Sequence, residues 1–193
     1  MTYSLEALLG MVIVVSFLGF CLENIWILLR HGFIDNRNMR LPFLTGYGLT
    51  VLGFYLVAGI PTKDNQLAYF AFSFAVVSIG EILMGKLTEH LMHIYYWDYS
   101  TIPLHITRYT SVPTSLGFAS IIVLFMKHGF TALMKRINAL PAKVLGLTRF
   151  ILPVLLYDML YCYHVMYRTR SHYILWKYTL PWRRQETAEE ENP

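Results

Sequence analysis

Glu23 falls in a stretch that is otherwise almost wholly apolar, Leu5 to Leu29, and a second acidic helix follows with Glu81 and Glu89. A carboxylate at the middle of a bilayer costs about 2.5 kcal/mol or more on insertion scales, so such groups are kept for function or paired inside a bundle. Glu81, Gly85, Glu89 and His93 follow one another at four-residue steps, which on a helix sets each beside the next on nearly one face. Glu81, Glu89 and His93 are therefore a candidate ligand set for a divalent metal, or a proton relay. The competing reading keeps only Glu81 deep and leaves Glu89, His90 and His93 at the water interface.

A second group sits in the loop that follows, Trp97-Asp98-Tyr99-Ser100 with Pro103 and Arg108. Trp97 and Tyr95, Tyr96 and Tyr99 suit the headgroup layer. Asp98 is expected to pair with Arg108 or Arg37 and so fix the loops over the intramembrane acids, structural pairing being commoner than substrate contact. Near the C-terminal end, Asp158 stands one turn from Cys162 and is expected to be buried, hydrogen-bonded to a tyrosine or protonated. Gly80-Glu-Ile-Leu-Met-Gly85-Lys86 has the glycine and lysine spacing of a phosphate-binding loop, but Leu87 stands where Ser or Thr is required, so no nucleotide is expected to bind this chain. Cys21 and Cys162 are far apart and form no metal or disulfide motif.

The elements that must position these residues are membrane helices. Hydrophobic residues make up 55% of the chain and charged residues 15%, against about 25% charged in soluble domains. Runs long enough to cross a bilayer, about 17 to 25 residues, predict an all-α polytopic bundle of about five spans near residues 5–29, 42–60, 66–85, 111–127 and 144–163, within 1–166. The fourth reaches full length only if Lys127 snorkels. Residues 167–193 read as a basic and aromatic juxtamembrane segment, a helix or loop on the inner leaflet, followed by a disordered acidic tail. The first span lacks the basic n-region of a cleaved signal and is expected to stay. The distribution of Lys and Arg favours an outside N-terminus and a cytoplasmic C-terminus in a cell membrane, although Lys127, Lys135, Arg136 and Lys143 run against it. The net charge of +4 fits an anionic membrane surface and not nucleic acid. An internal echo, Gly19 to Glu23 against Gly85 to Glu89 and Pro42 to Gly46 against Pro113 to Gly117, has chance as its rival. If real, it makes Glu23 and Glu89 counterparts at a junction of halves.

The stretch GFCLENIW (Gly19 to Trp26), Asn36-Arg37, Pro42-Phe-Leu-x-x-Tyr47-Gly48, and Glu81-x-x-x-Gly85-x-x-x-Glu89 leading to Trp97-Asp98-Tyr99-Ser100 resembles the bacterial ABC-transporter type IV membrane family over residues 16–126. The resemblance places Glu23, Arg37, Tyr47, Glu81, Glu89, Trp97, Asp98 and Arg108 on the family pattern as a candidate binding region; Asn24, His105 and Asp158 are secondary candidates read from the residues themselves. It also implies placement in the bacterial inner membrane. The chain departs from the family pattern at His105, where an asparagine is usual, and at Asn38, Thr45, Thr107 and Thr110.

These readings give a small transporter, or the membrane subunit of one, that handles a cation or protons through its carboxylates. Its partners would be the bilayer and either an ATPase subunit or further copies of the chain. The alternatives are an intramembrane enzyme on a lipid-linked substrate, with Arg37 or Arg108 on the headgroup phosphate, and an accessory subunit of a membrane complex. No nucleophile elbow or zinc-protease motif supports the enzyme.

Overall fold

The computed structural model describes residues 3–180; Trp182, Arg183, Arg184 and the acidic tail lie outside the described residues. Five helices make the bundle: α1 (Leu5–His31), α2 (Thr45–Ala58), α3 (Gln66–Met92), α4 (Val112–Asn138) and α5 (Ala142–Thr169). Four of them, α1, α3, α4 and α5, have 27 or 28 residues and are apolar enough to cross a membrane. Their outward faces carry Leu29, Leu83, Leu124, Phe150 and Val154, a surface suited to lipid and not to water. Two short antiparallel ladders complete the fold, β1 (Phe33–Asp35) with β4 (Lys177–Thr179) and β2 (His105–Thr107) with β3 (Thr110–Ser111).

Local chemistry sets the helix ends. The Ser4 hydroxyl accepts the Ala7 N–H at 3.2 Å to open α1, and Gly32 closes it in the left-handed conformation. Ser111 caps α4 and Pro113 lies in its first turn. Several predicted ends need correction. The third span continues through Lys86, Glu89 and His90 to Met92, because the Glu89 carboxylate accepts the Tyr109 hydroxyl and so is not left to water. The fourth continues past Lys127 through a π-helical turn at Phe125–Gly129 to Asn138, with the Lys127 ammonium donating to the Gln66 side-chain oxygen. The second is shorter than expected. At 14 residues, α2 is about 21 Å long against a hydrocarbon core of about 30 Å.

Contacts between ends fix the course of the chain. At one end Tyr3 packs on Tyr55 and Phe130, and the Thr148 hydroxyl donates to the Glu6 carbonyl at 3.2 Å. At the other end β1 pairs with β4, Phe33 opposite Thr179, so α1 and α5 run in the same sense. Residues 173–179 are thus a strap with strand pairing, not a helix. Tyr69 donates to the Gly59 carbonyl near the start of α3, and Arg170 reaches the Leu91 carbonyl near its finish, so α3 shares that sense. α2 and α4 run back between them. The apolar core fills the first end with Ala7, Met11, Phe54, Met126, Phe130 and Met134. The second end buries Asn24, Asp35, Asn36 and Asn38, each paired as buried polar groups must be.

The return through residues 36–44 is not helical. Arg37 and Asn38 have positive φ, 48° and 62°, and the Leu44 N–H donates to the Ser16 carbonyl, midway along α1, at 3.0 Å. Pro42 therefore lies ahead of α2 and does not open it. Irregular backbone at this depth is tolerated only when protein covers it. The Leu41 N–H finds Asp158 Oδ2 at 3.0 Å, Asn36 donates to the Met39 and Tyr173 carbonyls, and Arg40 stacks on Tyr161. Once inside, α2 lies against α1 at Gly48, where a Cβ would strike the Val12 carbonyl and the Ser16 hydroxyl.

Candidate functional site

Glu23 is one helical turn beyond Gly19 on α1. The bare Gly19 lets the ring of Tyr47, from the first turn of α2, sit where a Cβ would be, and the Tyr47 hydroxyl donates to Glu23 Oε1. Arg37 Nη2 approaches Glu23 Oε2 at 3.5 Å while its Nη1 approaches Asp35 Oδ1 at 3.4 Å. Asp35 is itself fixed: its N–H donates to Asn24 Oδ1 at 2.9 Å, and its carboxylate accepts the Arg37 N–H at 2.8 Å. The left-handed turn at Arg37 is what aims the guanidinium back at α1. Glu23 thus has a cation beside it, shared with Asp35.

Glu81 is held differently. It accepts the Thr110 hydroxyl at 2.6 Å, which in turn meets the Ser115 hydroxyl at 2.9 Å, and the Tyr99 hydroxyl lies close beside it. Burial, then the neighbouring charges of Glu81 and Glu23, push the Tyr99 hydroxyl far above its ordinary range, so Tyr99 acts as a donor. Burial likewise raises Tyr96, whose ring stands edge-on to Trp97 and Tyr163. The Trp97 indole N–H donates to the Tyr109 carbonyl at 2.7 Å and thereby pins this loop to the approach of α4.

These two carboxylates share a cavity of about 460 Å³ between the α1–α2 pair and the α3–α4 pair. Glu23, Tyr47, Glu81, Trp97 and Tyr99 line it, and Val15, Val77, Phe118 and Ile122 supply apolar wall. A hollow of about 580 Å³ lies beside Lys143 and Phe150 at the opposite end, but its Glu6 is already bound by Arg149. The cavity between the helix pairs is the one that combines intramembrane acid with aromatic wall.

A family model described as "Putative ABC-transporter type IV" matches residues 11–163. The chain belongs to that family. Comparison with curated proteins and with solved structures returned no match. The family match extends past the 16–126 stretch on which the sequence motifs fall, and takes in α5 up to Tyr163.

Of the residues on the family pattern, the structure gathers Glu23, Tyr47, Glu81 and Trp97 on the cavity wall, with Arg37 behind Glu23. The others lie elsewhere. Glu89 faces Tyr109, on the same helix face as Glu81 and Gly85 but away from the cavity. Asp98 is exposed and accepts the Ser100 N–H at 2.8 Å; it makes no ion pair with Arg108 or Arg37, because Arg108 lies 4.3 Å from the Tyr95 ring and Arg37 is taken by Glu23 and Asp35. The Ser100 N–H chiefly holds the Asp98 carboxyl below its ordinary value. His105 Nδ1 meets the Ile102 carbonyl at 3.1 Å, and Asp158 holds Leu41, not a tyrosine.

The metal set needs correction. Glu81 and Glu89 are two turns apart, about 12 Å along α3, each has its own hydroxyl partner, and His93 is the exposed left-handed cap of the helix. Among the described residues no group of three His, Cys, Asp or Glu could hold a metal ion. Sequence reasoning overlooked Asp35, Tyr99 as a cavity hydroxyl, Thr110 and Tyr109. The signal for Tyr109 was present: it follows Gly85 by 24 residues as Tyr47 follows Gly19 by 28.

Proposed function

We propose that this membrane protein is a small transporter, or the membrane subunit of one, in which a cation or proton is taken up between Glu23 and Glu81. The observation that carries the reading is that these two intramembrane carboxylates, 58 positions apart in sequence, line one cavity at the junction of two helix pairs. Binding at such a junction, beside broken helices, is the usual arrangement in secondary transporters, and the non-helical stretch ahead of α2 is a break of that kind. The chain would cross the bilayer five times, the second time through residues 36–58, with the N-terminus outside and the C-terminus cytoplasmic. An ATPase subunit or a second copy would complete an energised assembly. The lipid-enzyme alternative has less support, since of its two candidate phosphate ligands Arg37 is engaged by two carboxylates and Arg108, over the Tyr95 ring, does not line the cavity.

The test is flux in proteoliposomes made with the full chain, using radiolabelled sodium and rubidium and an internal pH dye. Wild-type protein should pass at least one of these above empty liposomes, and Glu81→Gln should reduce that flux by about ten-fold or more, equivalent to about 1.4 kcal/mol. Equal flux through wild type, Glu23→Gln and Glu81→Gln makes the carboxylates structural and ends this reading.

A further inference from the structure

Charge and wall chemistry together restrict what the cavity can hold, on the reading that cargo binds there. Glu23 has Arg37 beside it at 3.5 Å. Glu81 has hydroxyls, from Thr110 and Tyr99, and takes part in none of the ion pairs among the described residues. One carboxylate on the wall is therefore without a cation. Its hydroxyl neighbours can donate to it but cannot neutralise it, so a cation brought beside it in a site shielded from water would favour its ionised form and be held by it.

The wall argues against a hard divalent ion as cargo. Hard divalent ions ask for six or more oxygen ligands, usually with several carboxylates among them, and the described residues offer no group of three His, Cys, Asp or Glu that could hold a metal ion. The volume of about 460 Å³ lies in the range of about 300–1,000 Å³ found for small-molecule pockets. Tyr47, Trp97, Tyr99 and Phe118 line it together with aliphatic side chains, a surface that favours an apolar body and adds cation–π attraction for a diffuse positive charge.

We propose that the cavity binds a bulky, singly charged organic cation, its charge at Glu81 and its apolar body against the aromatic wall. This rests on the transporter reading and sharpens it to a cargo class. Gly80 supplies a second handle, because it lines the cavity and a Cβ built there meets nothing within 4 Å. A side chain at that position would start from open space and grow into the cavity.

The probe is tetraphenylphosphonium, with tetraphenylborate as an anion of nearly the same shape, and the readout is scintillation-proximity binding to the full chain in mild detergent. Saturable binding of the cation to wild type, weakened about ten-fold or more in Glu81→Gln, lost in Gly80→Leu, and absent for the anion, is the expected result. Should Glu81→Gln fail to fold, Gly80→Leu alone decides. The proposal is overturned by no saturable binding to wild type, by equal binding of cation and anion, or by binding that Gly80→Leu leaves intact. Glu81-dependent sodium, rubidium or proton flux without tetraphenylphosphonium binding removes the cargo class and leaves the transporter reading standing. Binding without flux of any kind does the reverse.

Discussion

At Gly19 and at Gly85 the same packing recurs: a tyrosine ring occupies the place of a Cβ, and its hydroxyl reaches the glutamate one turn further along the helix. Only the first of these glutamates faces the cavity. The first clasp has an arginine as well, brought by the left-handed turn at residue 37, and it lies well inside α1, which runs on for two further turns to His31. The second sits within a turn of the end of α3 at Met92, and Glu89 is satisfied by Tyr109 without a cation. The cavity takes its second acid from Glu81 instead, which has no carboxylate counterpart in the echo, since the residue one position ahead of Ser16 is Val15. The clasp is thus a way of seating a returning segment against a helix, and the chemistry lies where the two halves differ.

The largest effect that separates the two clasps comes from the glycines. In Gly19→Ala and Gly85→Ala the new Cβ meets the inner atoms of a tyrosine ring, which cannot swing aside as a flexible chain end would. Overpacking of this kind costs about 1–3 kcal/mol, and both variants should fall near the upper end, read as thermal unfolding in detergent. Tetraphenylphosphonium binding should be lost in Gly19→Ala and kept in Gly85→Ala. Loss in both variants would place the second clasp in the binding machinery and break the distinction.

Arg37→Gln has no equivalent on the other side. It leaves Glu23 and Asp35 without their shared cation. Removing one partner of a buried pair costs about 3–5 kcal/mol, and these groups are partly exposed, so a loss of about 2 kcal/mol is expected. The cavity gains an uncompensated carboxylate, and cation affinity should rise even as stability falls. A fall in affinity would mean that Arg37 serves the cargo directly and does not merely neutralise Glu23.

Much of this was legible in the chain before any coordinates. Four helices long enough for a membrane, the place of Glu23 well inside one of them, and the shared face of Glu81, Gly85 and Glu89 followed from hydropathy and four-residue spacing. The failures have a common cause. Pro42, at the predicted start of the second span, sits instead in a non-helical stretch that turns at two positive-φ residues and is held by the Asp158 side chain of α5 and by the strap backbone at Tyr173. Nothing local in 36–44 announces that Asp158 or Tyr173 will be its partners, because those contacts span more than 100 residues. The pairing of Asp98 with an arginine failed for a similar reason: the candidate arginines had other partners, one an aromatic ring and the other two acids.

A smaller dissociation is expected from the hydroxyls. Tyr109→Phe removes the partner of Glu89 and should cost about 1.5 kcal/mol, the scale of a hydrogen bond to a charged group, with cation binding unchanged. Tyr47→Phe leaves Glu23 with Arg37 and should cost less, about 1 kcal/mol, yet weaken binding because Tyr47 lines the cavity. Matching losses of stability and of binding in both variants would erase the contrast between structural and cavity-facing clasps.

The two loops carry the contrast into acid. The first is fastened by Arg37, Asn36 and Asn38 to buried partners. The second is tied to α3 by Tyr109 and Thr110, and within itself by the Tyr99 N–H on the Arg108 carbonyl at 2.7 Å and by Asp98 on the Ser100 N–H. That hydrogen bond holds the Asp98 carboxyl below its ordinary value of 3.8. A carboxyl depressed on folding stabilises fully above its unfolded value, and the contribution disappears as pH falls through the folded one. The unfolding temperature of wild type should therefore exceed that of Asp98→Asn near neutral pH and converge with it below about pH 4. Asp98 is exposed and screened, which keeps the difference under about 0.5 kcal/mol. A gap that persists unchanged into acid would show that the amide disturbs the Trp97–Ser100 turn by its shape, and that charge has no part in fastening the second loop.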